Sequence, residues 1–209
     1  MVLALAALPA AAQTVHDHQH RFGGAEKWAK IFDDPARDEW QKPAEVIRAL
    51  KLDPAATIAD IGSGTGYFAV RLARAVPKGR VIGVDAEPDM VRYLAERAKR
   101  EGLTNLVAVR AGKDGPGLKQ PVDLVILVDT YHHVSARERY FGELKKSLKP
   151  GGRLAVIDFK LDAPVGPPPS TRIPPEQVKK ELSQAGYRLA EEHGFLPNQY
   201  FLIFQPAEK

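Results

Sequence analysis

Short β-rich runs and amphipathic helical segments alternate through most of this chain. In the helical segments, apolar residues recur every three or four positions, as at Phe68, Leu72 and Val76. Such alternation predicts parallel strands joined by right-handed helical crossovers that cover both faces of one sheet. The predicted strands of this region are Thr57–Ile61, Arg80–Asp85, Leu106–Arg110, Val122–Val128 and Arg153–Phe159.

The pattern changes on both sides of this region. Helices are predicted before it, at Glu26–Phe32 and Glu39–Leu50, and a proline-rich crossing segment follows it at Leu161–Pro175. A short helix then precedes two final β-rich runs, Tyr187–His193 and Tyr200–Gln205, whose link is too short for a crossover, so they must pair antiparallel. The sequence therefore predicts an α/β fold: a doubly wound, seven-stranded, mostly parallel sheet with the last strand antiparallel.

We expect one domain, spanning residues 25–209. The composition, with 44% hydrophobic and 27% charged residues, is close to that of an average globular domain. There is no cysteine, which excludes disulfides, thiolate nucleophiles and cysteine-ligated zinc. The net charge is +4, but the basic residues are spread over predicted helix faces. That distribution makes nucleic-acid binding unlikely, and no stretch in residues 25–209 has the length of a membrane span.

Residues 1–24 differ in character from the rest. Met1–Ala12 reads MVLALAALPAAA and resembles the apolar region and small-residue cleavage site of a secretory signal peptide. The basic start of such peptides is missing, so we expect the true start upstream and an exported, periplasmic protein. A packed N-terminal segment of a cytoplasmic protein is the alternative. His16, His18 and His20 alternate and fit either a transition-metal site or a flexible tail.

A glycine-rich loop joins the first predicted strand to the next helix in IADIGSGTGYFAVRLA, residues 58–73. Gly62, Gly64 and Gly66 permit unusual backbone angles and a close approach to a ligand. A dinucleotide-binding loop of the form Gly-x-Gly-x-x-Gly needs a third glycine where this chain has Tyr67. The loop therefore favours a different nucleotide-like ligand.

Two carboxylates flank this loop in the predicted sheet. Asp60 stands just before it, where a negative charge disfavours a pyrophosphate and suits an ammonium and a sulfonium, as in S-adenosylmethionine rather than NAD. Asp85 ends the second predicted strand, 23 residues after Gly62. At that spacing a carboxylate can accept hydrogen bonds from both hydroxyls of a ribose. The alternative role for Asp85 is to cap the helix that follows it.

Four motifs in order resemble the class I S-adenosylmethionine-dependent methyltransferases, within about residues 44–205: IADIGSGTGYF, VIGVD, PVDLVILVDTYHH and LKPGGRLAVIDF. The fold of that family has seven strands with the last one antiparallel, which agrees with the predicted order. The resemblance implies that Asp60, Gly62 and Gly64 line the methionine part of the cofactor. It also implies that Asp85 holds the ribose.

Further candidate residues follow the third and fourth predicted strands. Relatives often place a carboxylate after the third strand against the adenine amino group. Here Lys113 stands at that place, so the resemblance carries the role to the neighbouring Asp114. Asp129 ends the fourth strand beside the expected cofactor, and His132 and His133 follow it near the methyl acceptor. Either histidine can act as a catalytic base, or both can pack at the start of a helix.

Segments outside these motifs are expected to enclose the ligands. Trp28 and Trp40 lie where the family builds a helical lid, although ordinary helix packing explains them equally well. The proline-rich segment with Arg172 either encloses the acceptor or is a stiff crossover.

The sequence predicts a methyltransferase that moves a methyl group by direct displacement from S-adenosylmethionine to a small molecule. A non-catalytic or vestigial cofactor-binding protein of the same fold is the alternative. An NAD-dependent oxidoreductase is disfavoured by Tyr67 and by the antiparallel end of the sheet.

Overall fold

The computed structural model describes residues 23–112 and 115–208 of the chain. Its helices are α1 Ala25–Phe32, α2 Arg37–Gln41, α3 Pro43–Leu50, α4 Tyr67–Ala75, α5 Pro88–Arg100, α6 Arg137–Leu144 and α7 Pro175–Gln184. Its strands are β1 Thr57–Ile61, β2 Arg80–Asp85, β3 Leu106–Arg110, β4 Val122–Val128, β5 Leu148–Phe159, β6 Tyr187–His193 and β7 Gln199–Pro206.

Several predictions fall outside these ranges and stay predictions. They concern the signal-peptide-like Met1–Ala12, the alternating His16, His18 and His20, and the adenine-side Asp114. Within the described ranges, no helix combines the length and the apolar character needed to cross a membrane.

The seven strands of the described residues form one sheet in the order β3-β2-β1-β4-β5-β7-β6. Neighbours from β3 to β5 pair in parallel, whereas β7 runs antiparallel to both β5 and β6. This confirms the predicted doubly wound sheet with its antiparallel last strand. The strand order reverses between β1 and β4, and ligands bind at such a switch point in open α/β sheets.

The central strand β4 contributes to a core on each face of the sheet. Ile126 packs in one core with Leu72 of α4 and Leu94 of α5. Leu127, its neighbour in sequence, packs in the other core with Phe141 of α6 and Leu182 of α7. Burial on both faces explains why the whole strand is nearly apolar.

The prediction of a single helix at Glu39–Leu50 is wrong. Helix α2 ends at Gln41, and α3 begins at Pro43. Lys42 between them adopts a φ of 43°, which breaks the right-handed helical path, and proline has no N–H to continue the hydrogen-bond ladder. The break gives α2 a direction of its own.

The predicted start of the fifth strand at Arg153 is also wrong. Strand β5 begins at Leu148, which pairs with Val122 of β4. The register then shifts before Leu124 pairs with Arg153. The irregularity lies at the opposite end of the sheet from the candidate site, whose strand ends are as predicted.

Candidate active site

One large cavity lies at the carboxyl ends of the central parallel strands. The glycine loop after β1, Asp85 at the end of β2 and Asp129 after β4 line it, and α1, α2 and the segment after β5 form its sides. Its volume of about 1740 Å³ exceeds the roughly 300–1,000 Å³ that is typical of a site for one small ligand. The cavity therefore has room for two molecules.

The loop between β1 and α4 is shaped for a close approach to a ligand. Gly62, Gly64 and Gly66 have φ angles of 73°, 52° and 94°, in the left-handed region that favours glycine. A Cβ atom on Gly62 would lie 2.3 Å from the hydroxyl oxygen of Thr130, so no larger residue fits there. Within the described residues, the buried Ser63 hydroxyl has no hydrogen-bond partner and is available to a ligand.

Asp60 is a buried carboxyl group that lines the cavity and is only 3% exposed. No cationic side chain of the described residues forms an ion pair with it. Burial, and then the nearby charge of Asp85, raise the pKa of Asp60 to about 7. A cation bound beside Asp60 would stabilise its ionised form, so this part of the cavity suits a positively charged ligand.

Asp85 holds the glycine loop and the start of α5 together. Its carboxylate accepts hydrogen bonds from the backbone N–H groups of Gly64 at 2.8 Å and Glu87 at 2.9 Å. Burial raises the pKa of Asp85, and these two hydrogen bonds oppose that shift. A carboxylate has about four acceptor positions, so it keeps capacity for two further donors. The geometry therefore combines a local structural role with capacity for the predicted ribose contact.

Asp129 lies at the floor of the cavity with a φ of 54°, a left-handed conformation that aspartate tolerates better than most residues. Its carboxylate accepts a hydrogen bond from Gln41 Nε2 at 2.8 Å and another from the side-chain amide of Gln199. Arg37 lies 3.5 Å away. Burial, and then the charge of Asp158, raise the pKa of Asp129 to about 7. These contacts tie α2 to β4, and a cofactor contact of Asp129 stays a prediction.

Helices α1 and α2 are held against the glycine loop and α4 by polar contacts. Asp33, which follows α1, accepts hydrogen bonds from the Thr65 hydroxyl at 3.0 Å and from Arg97 at 2.7 Å. The Tyr67 hydroxyl donates to Asp38 of α2. The two helices therefore cover one side of the cavity, and a role as a lid stays a prediction.

A histidine and a buried carboxylate meet at the end of the cavity nearer β5. His132 Nδ1 lies 2.9 Å from both carboxylate oxygens of Asp158. The two side chains are 5% and 2% exposed. Donation from Nδ1 leaves Nε2 as the nitrogen that can accept a proton. His133 also lines the cavity, with its ring centroid 4.1 Å from that of His132.

An aromatic wall stands beside this pair. The ring centroids of Trp40 and Phe159 are 5.8 Å apart, with 39° between the ring planes. A Cβ atom on Gly166 would lie 2.6 Å from the Phe159 ring, so the backbone after β5 passes directly against that ring. Arg172 holds this backbone, because its guanidinium donates hydrogen bonds to five main-chain carbonyls within residues 160–167. The proline-rich segment therefore encloses the cavity.

The structure brings the predicted residues of the described ranges to one place, lining a single cavity: Asp60, Gly62, Gly64, Asp85, Asp129, His132 and His133. Sequence reasoning missed Asp158 and Gln199. The available signal for Asp158 was a carboxylate near the end of an apolar strand, next to the predicted β4. Nothing in the sequence pairs it with His132.

Comparisons with known proteins agree with this architecture. Residues 52–194 match the family model described as a methyltransferase domain. The chain belongs to the class I S-adenosylmethionine-dependent methyltransferases. The chain is 30% identical over 154 residues to the arsenite methyltransferase of Halobacterium salinarum, and the alignment covers 66% of this chain and 39% of that protein.

Two further comparisons cover more of the matched protein. The chain is 32% identical over 163 residues to the ubiquinone/menaquinone biosynthesis C-methyltransferase UbiE of Bordetella avium, and the alignment covers 75% of this chain and 64% of that protein. The chain spans about half the length of the curated relatives it matches. A solved S-adenosylmethionine-dependent methyltransferase from Aquifex aeolicus superposes with a TM-score of 0.79 at 29% identity, covering 86% of this chain and 97% of that one.

The cavity of the methyltransferase fits the cofactor of its family. Asp60, which has no cationic partner among the described residues, suits the ammonium and sulfonium groups of S-adenosylmethionine. Asp85 keeps acceptor capacity for ribose hydroxyls. Gly62 leaves the backbone open where a side chain would clash with Thr130. The residues at this end of the cavity are therefore compatible with the family's cofactor.

Proposed function

We propose that this chain is an active S-adenosylmethionine-dependent methyltransferase with a small-molecule acceptor. One observation carries the proposal: a single cavity combines a cation-binding end at Asp60 with a proton-accepting end at His132 and Asp158. A vestigial cofactor-binding protein has no need for the second end.

Each end of the cavity receives its own residues in this proposal. Asp60, Gly62 and Gly64 hold the methionine part of the cofactor, and Asp85 holds its ribose. Asp129 and Asp114 are assigned to the cofactor by the sequence motifs alone. When bound, S-adenosylmethionine supplies an electrophilic methyl group on a sulfonium.

His132 is the proposed catalytic base. Asp158 fixes the ring through Nδ1 and stabilises the imidazolium that forms when Nε2 takes a proton. A base assists only when the acceptor atom carries a proton. The pair therefore points to an acceptor atom that carries a proton. His133 is more exposed and is the second candidate.

A small molecule is the acceptor class that the enclosure supports. The covering helices and the segment bound by Arg172 supply walls of the cavity that His132 also lines. Named relatives act on arsenite and trans-aconitate and in ubiquinone and menaquinone biosynthesis. The chain has no cysteine, so it offers no thiolate for a soft metalloid such as arsenite.

Export is a separate proposal, supported by Met1–Ala12 alone. Expression of the full chain in a bacterial host, followed by mass spectrometry of its N-terminus, tests it. Loss of the apolar leader from periplasmic protein supports export, and an intact leader in the cytoplasm contradicts it.

Calorimetric titration tests the cofactor assignment. The protein is titrated with S-adenosylmethionine, S-adenosylhomocysteine and NAD, and the titrations are repeated with Asp85→Asn. Asp123→Asn is the matched control, because Asp123 also accepts a backbone hydrogen bond, from Thr57 at 2.7 Å. It lies at the start of β4, and the cavity lies at the other end of that strand.

We expect S-adenosylmethionine and S-adenosylhomocysteine to bind and NAD to show no binding. Loss of charged hydrogen bonds to the ribose should weaken binding to Asp85→Asn at least about tenfold, with Asp123→Asn unchanged. Binding without turnover on any acceptor would favour the vestigial alternative. Absence of binding by the folded protein would contradict the proposed function.

A further inference from the structure

We propose that the acceptor is a planar aromatic molecule with a hydroxyl group, whose ring lies against Trp40 and Phe159 and whose hydroxyl meets His132 Nε2. This inference rests on the proposed function, because it assigns the second ligand of the same cavity. Three observations carry it: a shared anchor, a fixed aromatic wall and the sign of the buried charges.

The shared anchor is the carboxylate of Asp158. It binds His132 through Nδ1 at 2.9 Å and through the backbone N–H at 3.2 Å. The same carboxylate accepts the backbone N–H of Phe159 at 2.8 Å. One buried group therefore contacts both the histidine and the main chain that carries the Phe159 ring. A ligand that uses both must carry its acidic hydrogen next to an apolar body.

The Phe159 side of the wall is fixed in orientation. Phe159 is 5% exposed, and Gly166 presses against its ring where a Cβ atom would lie at 2.6 Å. The guanidinium carbon of Arg172 lies 5.8 Å from the same ring. Fixed aromatic rings favour flat ring partners, in stacked or edge contacts, over saturated ones of equal size.

The buried charges disfavour an anionic acceptor. The buried carboxylate of Asp158 lies at this end, and the partly exposed Asp129 adds a second negative charge when it is ionised. Arg37 and Arg139 both line the cavity. Arg37 donates two hydrogen bonds to Gln41 Oε1, at 2.9 and 2.6 Å, and lies 3.5 Å from Asp129, so it is committed within the protein. Arg139 is exposed, so water screens its charge. The exposed cavity-lining side chains Ile31 and Val165 are apolar as well.

The proposed step balances with one base and one leaving group. The hydroxyl oxygen forms the bond to the methyl carbon, and its proton goes to His132 Nε2. The carbon–sulfur bond breaks with its electron pair kept by sulfur, so the sulfonium becomes a neutral thioether. The imidazolium beside Asp158 then returns the proton to water.

Binding tests the acceptor class without any turnover. Protein saturated with S-adenosylhomocysteine is titrated calorimetrically with 2-naphthol, with its saturated counterpart 2-decalol and with the anion 2-naphthoate. Trp40→Leu and Phe159→Leu remove the wall. Phe195→Leu is the matched control, because Phe195 packs on the core at Phe201, away from the cavity.

We expect 2-naphthol to bind about tenfold more tightly than either comparison ligand, as two favourable aromatic contacts allow. Each wall variant should lose most of that preference, whereas Phe195→Leu should keep it. Equal binding of 2-naphthol and 2-decalol, or an unchanged preference in both wall variants, would overturn the proposal.

Turnover tests the position of the hydroxyl. Formation of 2-methoxynaphthalene should fall at least about a hundredfold in His132→Asn, within the range for removal of a general base. Asparagine can still donate to Asp158, so the site should keep its shape, and 2-naphthol affinity should fall by no more than about tenfold through loss of the hydrogen bond to Nε2. Full activity in His132→Asn would refute the hydroxyl assignment.

The two proposals fail in different ways. If S-adenosylhomocysteine does not bind, the proposed function fails before the acceptor is tested. If it binds and 2-naphthol shows no preference, only the acceptor class is wrong. Tight binding of 2-naphthoate would point to an anionic acceptor instead.

Discussion

Protonation of Asp60 should control the affinity of this protein for its cofactor. The carboxyl group is buried without a cationic partner among the described residues, and its pKa lies at about 7. A ligand that carries a sulfonium and an ammonium favours the ionised carboxylate, so the pKa of Asp60 must fall when the ligand binds. Binding near neutral pH should therefore release a proton.

The magnitude follows from that pKa. With a pKa of about 7 in the free protein, roughly nine-tenths of Asp60 is protonated at about pH 6 and roughly one-tenth at about pH 8. Only the ionised fraction binds well, so the apparent affinity for S-adenosylmethionine should rise about tenfold from pH 6 to pH 8. Above that pH it should level off.

Calorimetry in buffers of different ionisation enthalpy measures both quantities. We expect release of about 0.9 proton per cofactor at pH 6 and about 0.1 at pH 8. Asp60→Asn should bind weakly and with little dependence on pH, whereas Asp123→Asn should follow the unmodified protein. A constant affinity from pH 6 to pH 8 would refute the reasoning. If the cofactor affinity of Asp60→Asn still rises from pH 6 to pH 8, the group responsible is Asp129, whose pKa is also about 7.

Although Asp60→Asn should weaken cofactor binding, it should stabilise the cofactor-free protein. The pKa of Asp60 in the folded, cofactor-free protein exceeds its usual value of 3.8, so folding becomes less favourable as the pH rises from about 4 to about 7. Asp60→Asn should therefore raise the free energy of unfolding at pH 8, with an upper limit of about 4 kcal/mol. Urea denaturation without cofactor measures this, and a destabilised variant would contradict it.

Three further substitutions test other parts of the structure. Burial disfavours ionisation of Glu181, but hydrogen bonds led by Arg137 lower its pKa to about 2, so Glu181→Gln should cost about 1–2 kcal/mol at pH 7 after solvent screening. This loss in the free energy of unfolding should become smaller as the pH falls from about 4.5 towards 2. Urea denaturation of both proteins at pH 7 and pH 3 measures the change. Gly62→Ala should lower the free energy of unfolding by about 2–4 kcal/mol, because φ is 73° and the added Cβ would lie 2.3 Å from Thr130. Thermal denaturation measures this, and an unchanged midpoint would contradict it. Arg172→Met removes the donor to five carbonyls and should speed amide hydrogen exchange in residues 160–171 while sparing the glycine loop. Unchanged exchange would show that the prolines alone hold this segment.

The sheet could be predicted because its signals are local. Each parallel strand is a continuous apolar run, and β4 shows this most clearly since both of its faces are buried. The break at Lys42 was missed because apolar residues continue at helical spacing on both sides of it. Pro43 gave the only warning, and proline is common in the first turn of a helix.

The cofactor end could be predicted for a similar reason. Asp60 and Gly62 are almost adjacent in sequence, and strand pairing brings Asp85 next to them. The other end depends on contacts between distant parts of the chain. His132 and Asp158 are 26 residues apart, and Gln41 and Asp129 are 88 apart. No periodic pattern carries such pairings.

One end of the cavity is positioned by strand pairing and the other by contacts between distant parts of the chain. This contrast predicts which substitutions can change the acceptor preference. The residues proposed to hold the cofactor belong to the ends of β1 and β2, whose register with each other is fixed by the sheet. Trp40 belongs to the short helix α2, and Gly166 belongs to the segment bound by Arg172. Both elements lie outside the sheet and are held by side-chain contacts. Substitutions in these two elements should alter the acceptor while cofactor affinity stays the same, whereas substitutions at Asp158 should disturb the base and the wall together.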